Sequence, residues 1–263
     1  MSAVLRTSGL SVRFGGVHAV REVDVEVAPG ELVGLIGPNG AGKTTFVDAV
    51  AGYVRYTGSV ELDGHDLRGM APHQRARRGL ARTWQSTELF DDLTVGENVA
   101  VAAERPSFLA LAAELVGKRL GESAAAEHAI DALDLLPLAD AMPSELTQGQ
   151  RKLVGVARAV AMQPRLLCLD EPAAGLDTHE SEELGRRLRQ IASGGTTTLL
   201  IDHDMGLVLT ICDRITVLEF GQVIATGPPD DVRRDPRVVT AYLGGTGSAT
   251  AEKAETAEKA ETA

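Results

Sequence analysis

Residues 37–45 read Gly37-Pro38-Asn39-Gly40-Ala41-Gly42-Lys43-Thr44-Thr45, and the apolar run Leu32 to Ile36 stands immediately before them. The spacing satisfies G-x-x-x-x-G-K-[ST], set between a predicted buried strand and a helix predicted from Lys43 to about Val50. Strand, glycine-rich turn and helix in that order make a phosphate cradle. Glycines permit positive φ and let backbone N–H groups converge on phosphate oxygens, while the helix start adds a favourable dipole. In such a cradle Lys43 neutralises β- and γ-phosphate charge, Thr44 offers a hydroxyl to Mg2+, and Thr45 reaches a nearby phosphate. The competing reading is a glycine-rich strand-to-helix turn without a ligand.

A phosphate loop alone leaves kinases, GTPases, motors and transport ATPases open. The stretch Leu166-Leu167-Cys168-Leu169-Asp170-Glu171 narrows the choice, because an apolar strand here ends in two carboxylates. Asp170 is positioned to hold Mg2+ through water, and Glu171 to orient and activate the attacking water as general base. Adjacent acids also begin solvated loops, but here Pro172 and the turn Gly175-Leu176-Asp177 follow them.

Around these two sites the period of the apolar residues sets the architecture. Leu10 to Phe14 and Val23 to Val27 alternate apolar and polar side chains, which predicts an antiparallel sheet at the start of the fold. Apolar strands at Leu166 to Leu169, Thr197 to Ile201 and Ile215 to Leu218 are separated by enough chain for crossover helices, so the core sheet is expected to be largely parallel. After Pro106 the composition turns to Ala, Leu and Glu through about Ala141, with Ala129, Ile130, Leu133 and Leu136 at helical spacing. The expected fold is α/β: a P-loop core with a mainly parallel sheet, an N-terminal antiparallel β region and an inserted helical subdomain over about residues 95–163. Residues 1–243 form that one domain. Residues 244–263 carry two copies of "AEKAET" and cannot bury a core.

Bulk properties exclude other classes. In 263 residues, 44% hydrophobic content fills a real core. A formal charge of −11 with 3% aromatic residues argues against a nucleic-acid partner, which calls for a basic face and stacking rings. No run approaches the roughly 18 apolar residues that cross a bilayer, and the start lacks the apolar core of a secretory signal, so a cytoplasmic location is expected. Cys168 and Cys212 sit in apolar surroundings and read as small core residues. The run Arg75, Arg77, Arg78 and Arg82 reads either as a solvated helix face or as a surface for a membrane subunit or lipid headgroups.

The stretches "GPNGAGKTT", "LTQGQ", "LLCLDEP", "GLD" and "DHD" occur in the order in which they stand in the nucleotide-binding subunits of ABC transporters, and over about residues 4–243 the chain resembles that family. The resemblance implies that Gln85 is the Q-loop glutamine touching γ-phosphate and Mg2+, that Asp177 belongs to the D-loop, that His203 is the switch histidine, and that Phe14 stacks on adenine. It implies ATP and Mg2+ as cofactors. It also implies that two subunits, identical or different, meet head to tail, each closing its signature segment over nucleotide held by the other. Here that segment is Leu146-Thr147-Gln148-Gly149-Gln150, ahead of a helix predicted to run to about Gln163. The family pattern is LSGGQ. Thr147 keeps a hydroxyl, whereas Gln148 enters positive φ less cheaply than glycine, which predicts that Gln148→Gly strengthens ATP-driven pairing.

The text "GLARTWQSTELFDDLTVGENVAVAA" with "LDEPAAGLD", "DHDM" and "VVTAYLGG" is most similar to the ATPases of branched-chain amino-acid importers. That similarity implies transmembrane permease partners, a solute-binding protein acting indirectly, and a place on the inner face of the membrane held through the permeases. Lipid or lipopolysaccharide export ATPases share the same core, and soluble ABC ATPases acting on ribosomes or DNA are the other alternative.

Overall fold

A computed structural model describes residues 3–84, 88–104 and 123–242. The chain opens with β1 (Leu5–Phe14) and β2 (Val17–Val27), an antiparallel pair, and continues into β3 (Leu32–Ile36) and helix α1 (Lys43–Ala51). Strands β4 (Thr57–Leu62) and β5 (His65–Asp66) join the first pair in a four-stranded sheet of order β2-β1-β4-β5. Helix α2 (Pro72–Arg77) leads into β6 (Leu80–Arg82). Beyond it come α3 (Val95–Ala103), α4 (Ala124–Ala132), α5 (Gln148–Ala161), β7 (Leu166–Asp170), α6 (Thr178–Ser193), β8 (Thr197–Ile201), α7 (Met205–Ile211), β9 (Arg214–Glu219), β10 (Gln222–Gly227) and α8 (Pro229–Arg234).

The second sheet has six strands in the order β10-β9-β3-β8-β7-β6. All of its pairs are parallel except β9 with β10. Its central strands are buried along their whole length, because a layer packs on each face. Alternation decides which layer each residue meets. Val33, Leu35, Leu166, Cys168, Leu199 and Ile201 face the four-stranded sheet and Phe46 of α1. Leu32, Ile36, Leu167, Leu169, Leu200 and Ile215 face the helices on the other side.

The parallel core and the antiparallel opening match the expectation from sequence. Strands β4, β5, β6 and β10 were not anticipated; β5 and β6 are two and three residues long, too short to show a period. Both cysteines are buried, and burial pushes the Cys168 thiol up to about 12 and the Cys212 thiol upward as well.

Three expectations need correction. The apolar stripe Ala129, Ile130, Leu133 does not extend to Leu136. Helix α4 ends at Ala132, the chain reverses at Asp134 with φ 54°, and Leu136 is 71% exposed. Pro137 disfavours an α conformation at the residue before it, and so works against a longer helix. The arginine run is not one exposed face, because Arg77 and Arg78 are exposed whereas Arg75 and the Arg82 side chain are buried. Arg75 donates from Nη1 to the Ala49 and Val50 carbonyls at 2.9 and 2.7 Å, and from Nη2 to Leu67 O at 3.0 Å. It therefore satisfies the last carbonyls of α1, which a helix end leaves without partners.

The third correction concerns Gln148. It opens α5 with a right-handed backbone, so glycine would relieve nothing there. The preceding residue explains why. Thr147 takes an extended backbone and caps the helix, its hydroxyl accepting from Gln150 N at 3.2 Å while Gln150 Oε1 accepts from Thr147 N at 2.9 Å.

Arg75→Met is expected to lower stability by about 3 kcal/mol, because it strips charge-assisted partners from buried carbonyls. A loss of unfolding free energy smaller than about 1 kcal/mol in urea titration, with unchanged slope, contradicts that role. Gln148→Gly is expected to destabilise by up to about 1 kcal/mol through lost helix propensity. A gain in stability would reveal strain at this residue.

Candidate functional site

The carboxyl end of β3 carries residues 37–42 over the top of the sheet. Gly37, Gly40 and Gly42 all have positive φ, at 151°, 79° and 97°. At Gly42 a side chain has no room, since a Cβ would stand 2.2 Å from Ala19 O of β2. The loop is tied down from both sides, by Ala41 N to Pro38 O at 3.1 Å and by Gly221 N to Ala41 O at 3.0 Å.

Lys43 begins α1 and is buried. Its Nζ donates to the loop's own Gly37 and Pro38 carbonyls at 2.7 and 3.0 Å, so the ammonium spans the cradle. Burial lowers the Lys43 pKa below its ordinary value, against the opposing pull of Glu171 and Asp170. Thr44 is exposed at the helix start and Thr45 is half-buried beside it. Together with Pro38, Asn39 and Ala41, these residues form one turn whose carbonyls hold the Lys43 ammonium.

Asp170 ends β7 and Glu171 follows it. Asp170 is buried, its Oδ2 accepting from Arg82 Nη2 at 2.9 Å and its backbone N donating to Thr83 Oγ1 at 3.2 Å. Glu171 has φ 48°, a left-handed conformation that costs a non-glycine residue of order 1 kcal/mol. Its surroundings enforce that conformation. Glu171 N donates to Ile201 O at 2.7 Å, and Glu171 O accepts from Ala174 N at 3.2 Å and from Lys152 Nζ at 3.4 Å.

His203 follows β8, on the same edge. Asp202 is fully buried, and its Oδ1 accepts from the backbone N of His203 and Asp204 at 2.8 and 3.0 Å. Asp202 Oδ2 accepts from Ala173 N at 3.1 Å, which ties the His203 turn to the segment after Glu171. The imidazole is left 59% exposed.

Phe14 ends β1 at the hairpin opposite Val17, 53% exposed and not in the core. The same hairpin supplies the Ala19 carbonyl under Gly42, so Phe14 stands on the element that abuts the cradle. Gln85 lies outside the described residues, as does the repeat tail.

Asp177 caps α6, its Oδ1 accepting from Glu180 N at 2.8 Å. The segment Leu146 to Gln150 stands at the start of α5. There Gly149 packs so closely that a Cβ would come within 2.8 Å of Glu180 Oε1. Both stretches are therefore apart from the cradle in sequence and tied to helix starts, where free N–H groups attract anions.

Sequence reasoning missed Lys152 and misread Arg82. Lys152 is buried on α5 and donates to Ala174 O as well as Glu171 O, so it joins the start of that helix to the Glu171 turn. A charged residue two positions after "GQ" carries no signal until the fold brings the two segments together. A cleft of about 580 Å3 runs past Arg82, Trp84, Glu88 and Arg158 to Glu171.

A metal held by side chains alone is not built here, since no cluster of three or more His, Cys, Asp or Glu ligands occurs among the described residues. One buried carboxylate and one exposed hydroxyl instead suit Mg2+, which keeps several waters and relies on phosphate oxygens for the rest. Among the described residues no helix is long and apolar enough to cross a membrane.

Comparison with known proteins agrees with this geometry. Residues 20–174 match the ABC transporter family and residues 222–247 the branched-chain amino acid ATP-binding cassette transporter family. The high-affinity branched-chain amino acid transport ATP-binding protein BraF of Pseudomonas aeruginosa is 39% identical over 92% of this chain and 98% of its own length. The corresponding protein LivG of Escherichia coli K12 is 40% identical over the same shares, 92% and 98%. A solved ATP-binding cassette of an ABC transporter in its ADP conformation is 30% identical, covers 93% of this chain and 100% of its own, and superposes with a TM-score of 0.79. The cradle, the paired carboxylates and the histidine are thus embedded in a chain that, along nearly its whole length, belongs to the ABC transporter family of ATP-binding cassettes.

Proposed function

We propose that this chain binds and hydrolyses Mg2+-ATP to power an importer of branched-chain or related amino acids. One observation carries the catalytic part. Ile201 pairs with Leu35 on one side and Asp170 on the other, so the residues following β3, β7 and β8 share one edge of the sheet. In open α/β sheets that edge is where ligands bind. The importer assignment rests on the relatives' transport names and on the match of residues 222–247 to the branched-chain family.

In this reading residues 37–45 hold the triphosphate, with Lys43 leaving its two loop carbonyls for β- and γ-phosphate oxygens, and Phe14 stacks on adenine. Thr44, Asp170 and Gln85 would hold Mg2+, whose charge would offset that of the phosphate oxygens. Glu171 takes a proton from the attacking water, and its enforced backbone conformation aims the carboxylate without reorganisation during the reaction. His203 donates to the γ-phosphate. Its turn is already fixed by Asp202, so only the imidazole need move.

The segment Leu146 to Gln150 and Asp177 serve nucleotide held by a second cassette, identical or different, meeting this one head to tail. Permease subunits dock beside the cleft along Trp84 and Arg158, and hold the chain at the inner face of the membrane; a solute-binding protein acts through them. ATP closes the pair, and hydrolysis reopens it.

Glu171→Gln is expected to keep nucleotide affinity within about twofold while turnover falls at least about 100-fold, the usual contribution of a general base. Near-normal hydrolysis removes Glu171 from that role. Co-purification from membranes is expected to bring permease subunits, and vesicles holding that complex to take up radiolabelled leucine when supplied with ATP. Recovery of ribosomes or DNA in place of membrane proteins refutes the transport reading.

A further inference from the structure

Arg82 ends β6, three residues before Gln85. Its side chain is 5% exposed and that of Asp170 6%. One guanidinium nitrogen, Nη2, donates to Asp170 Oδ2 at 2.9 Å, and the other, Nη1, donates to Asp48 Oδ1 on α1. The next residue grips the same carboxylate's backbone, through Asp170 N to Thr83 Oγ1 at 3.2 Å. Two aromatic rings close off the guanidinium. Its central carbon lies 4.2 Å from the Trp84 ring centre and 5.8 Å from that of Tyr53, and the two rings meet edge-on at 4.9 Å.

Stability alone is a poor reason for this arrangement. A buried ion pair gains little over apolar residues of similar volume, because desolvation offsets the attraction. Here the arrangement also leaves Arg82 Nε buried without a partner, a further cost. Two carboxylates around one guanidinium leave an excess negative charge on the pair, with Glu171 as a third carboxylate next in the chain and Lys43 as the cation that Asp170 and Glu171 both attract. Once Lys43 turns to phosphate, Asp170 is left facing a cation site, and the fork settles how it is presented. With Oδ2 committed to Nη2, the carboxylate cannot rotate freely, and Oδ1 is the oxygen left to meet a metal.

We propose that Arg82 is a positioning residue for the Mg2+ subsite: its fork between Asp48 and Asp170 fixes the direction in which Asp170 meets the metal. The inference rests on the assignment of Asp170 to Mg2+ given above. A lysine cannot substitute fully, since an ammonium lacks the planar pair of donors that spans two carboxylates.

The full-length chain is titrated with the fluorescent analogue mant-ATP, once in EDTA and once in excess Mg2+. By linkage, the ratio of the two dissociation constants equals the factor by which the bound nucleotide holds Mg2+ more tightly than free nucleotide does. Wild type is expected to give a ratio well above one. Arg82→Met is expected to keep the EDTA affinity within about twofold while the ratio falls about tenfold, or to one, as for loss of a residue that orients a metal ligand. Arg82→Lys is expected to fall between the two. If the methionine variant does not fold, the lysine variant decides, and a wild-type ratio from it overturns the proposal. A wild-type ratio in Arg82→Met, with the ratio lost in Asp170→Ala, also overturns the proposal but leaves Asp170 as the metal-side residue. A ratio preserved in Asp170→Ala removes that assignment, and the role of Arg82 goes with it.

Discussion

The register of three parallel strands is the constraint on which the site depends. Leu35, Ile201 and Asp170 lie side by side in β3, β8 and β7, so the chain leaves the sheet at one level in three places. Because side chains alternate with a period of two, a slip of one residue would turn Leu199 and Ile201 to the wrong layer. Burial on both faces therefore fixes the register, and the register fixes where Gly37, Glu171 and His203 emerge. The hydrophobic core thus sets the geometry of a polar site built mostly outside it.

Charge is arranged around that edge in a way no single strand specifies. Lys43 is held below its ordinary pKa by burial, and Asp170 and Glu171 oppose the effect. Burial acts on Arg82 in the same direction, but the hydrogen bonds and charges of Asp48 and Asp170 together outweigh it and raise its pKa. The two cations differ in commitment. Lys43 rests on two neutral carbonyls, partners that a phosphate readily replaces, whereas Arg82 is paired with carboxylates and boxed in by rings. On the proposed reading, the cation with replaceable partners serves the nucleotide and the one paired with carboxylates serves the scaffold.

The parts legible in the sequence were those written in contiguous residues. The phosphate loop, the strand ending in Asp170 and the strand before His203 each combine an apolar run with a chemical signature, and all three stand where the pattern put them. What escaped was set by tertiary contact. Arg75 and Arg82 have the look of surface cations, because nothing nearby in the chain reveals that helix carbonyls or Asp170 will meet them. Gln148 was misjudged for a related reason. The family's glycine suggested a special backbone, but Thr147 takes the extended conformation and leaves Gln148 an ordinary first turn. Leu136 kept the helical spacing after the helix itself had ended.

Lys152 ties the helix that follows the signature segment to the Glu171 turn. Its Nζ reaches from α5 to the carbonyls of Glu171 and Ala174, while Gly149, three residues earlier, packs against Glu180 of α6. Asp202 adds a tie from the His203 turn to Ala173. The start of α5, the Glu171 turn, the start of α6 and the His203 turn are therefore linked by short polar contacts, with little slack between them. A displacement of α5 pulls on the carbonyl of the very residue whose backbone is held in a costly conformation. That conformation is over-determined by the bonds to Ile201, Ala174 and Lys152, so the Glu171 turn follows α5 through these contacts. The signature segment and the proposed base are, on this geometry, parts of one network of short polar contacts.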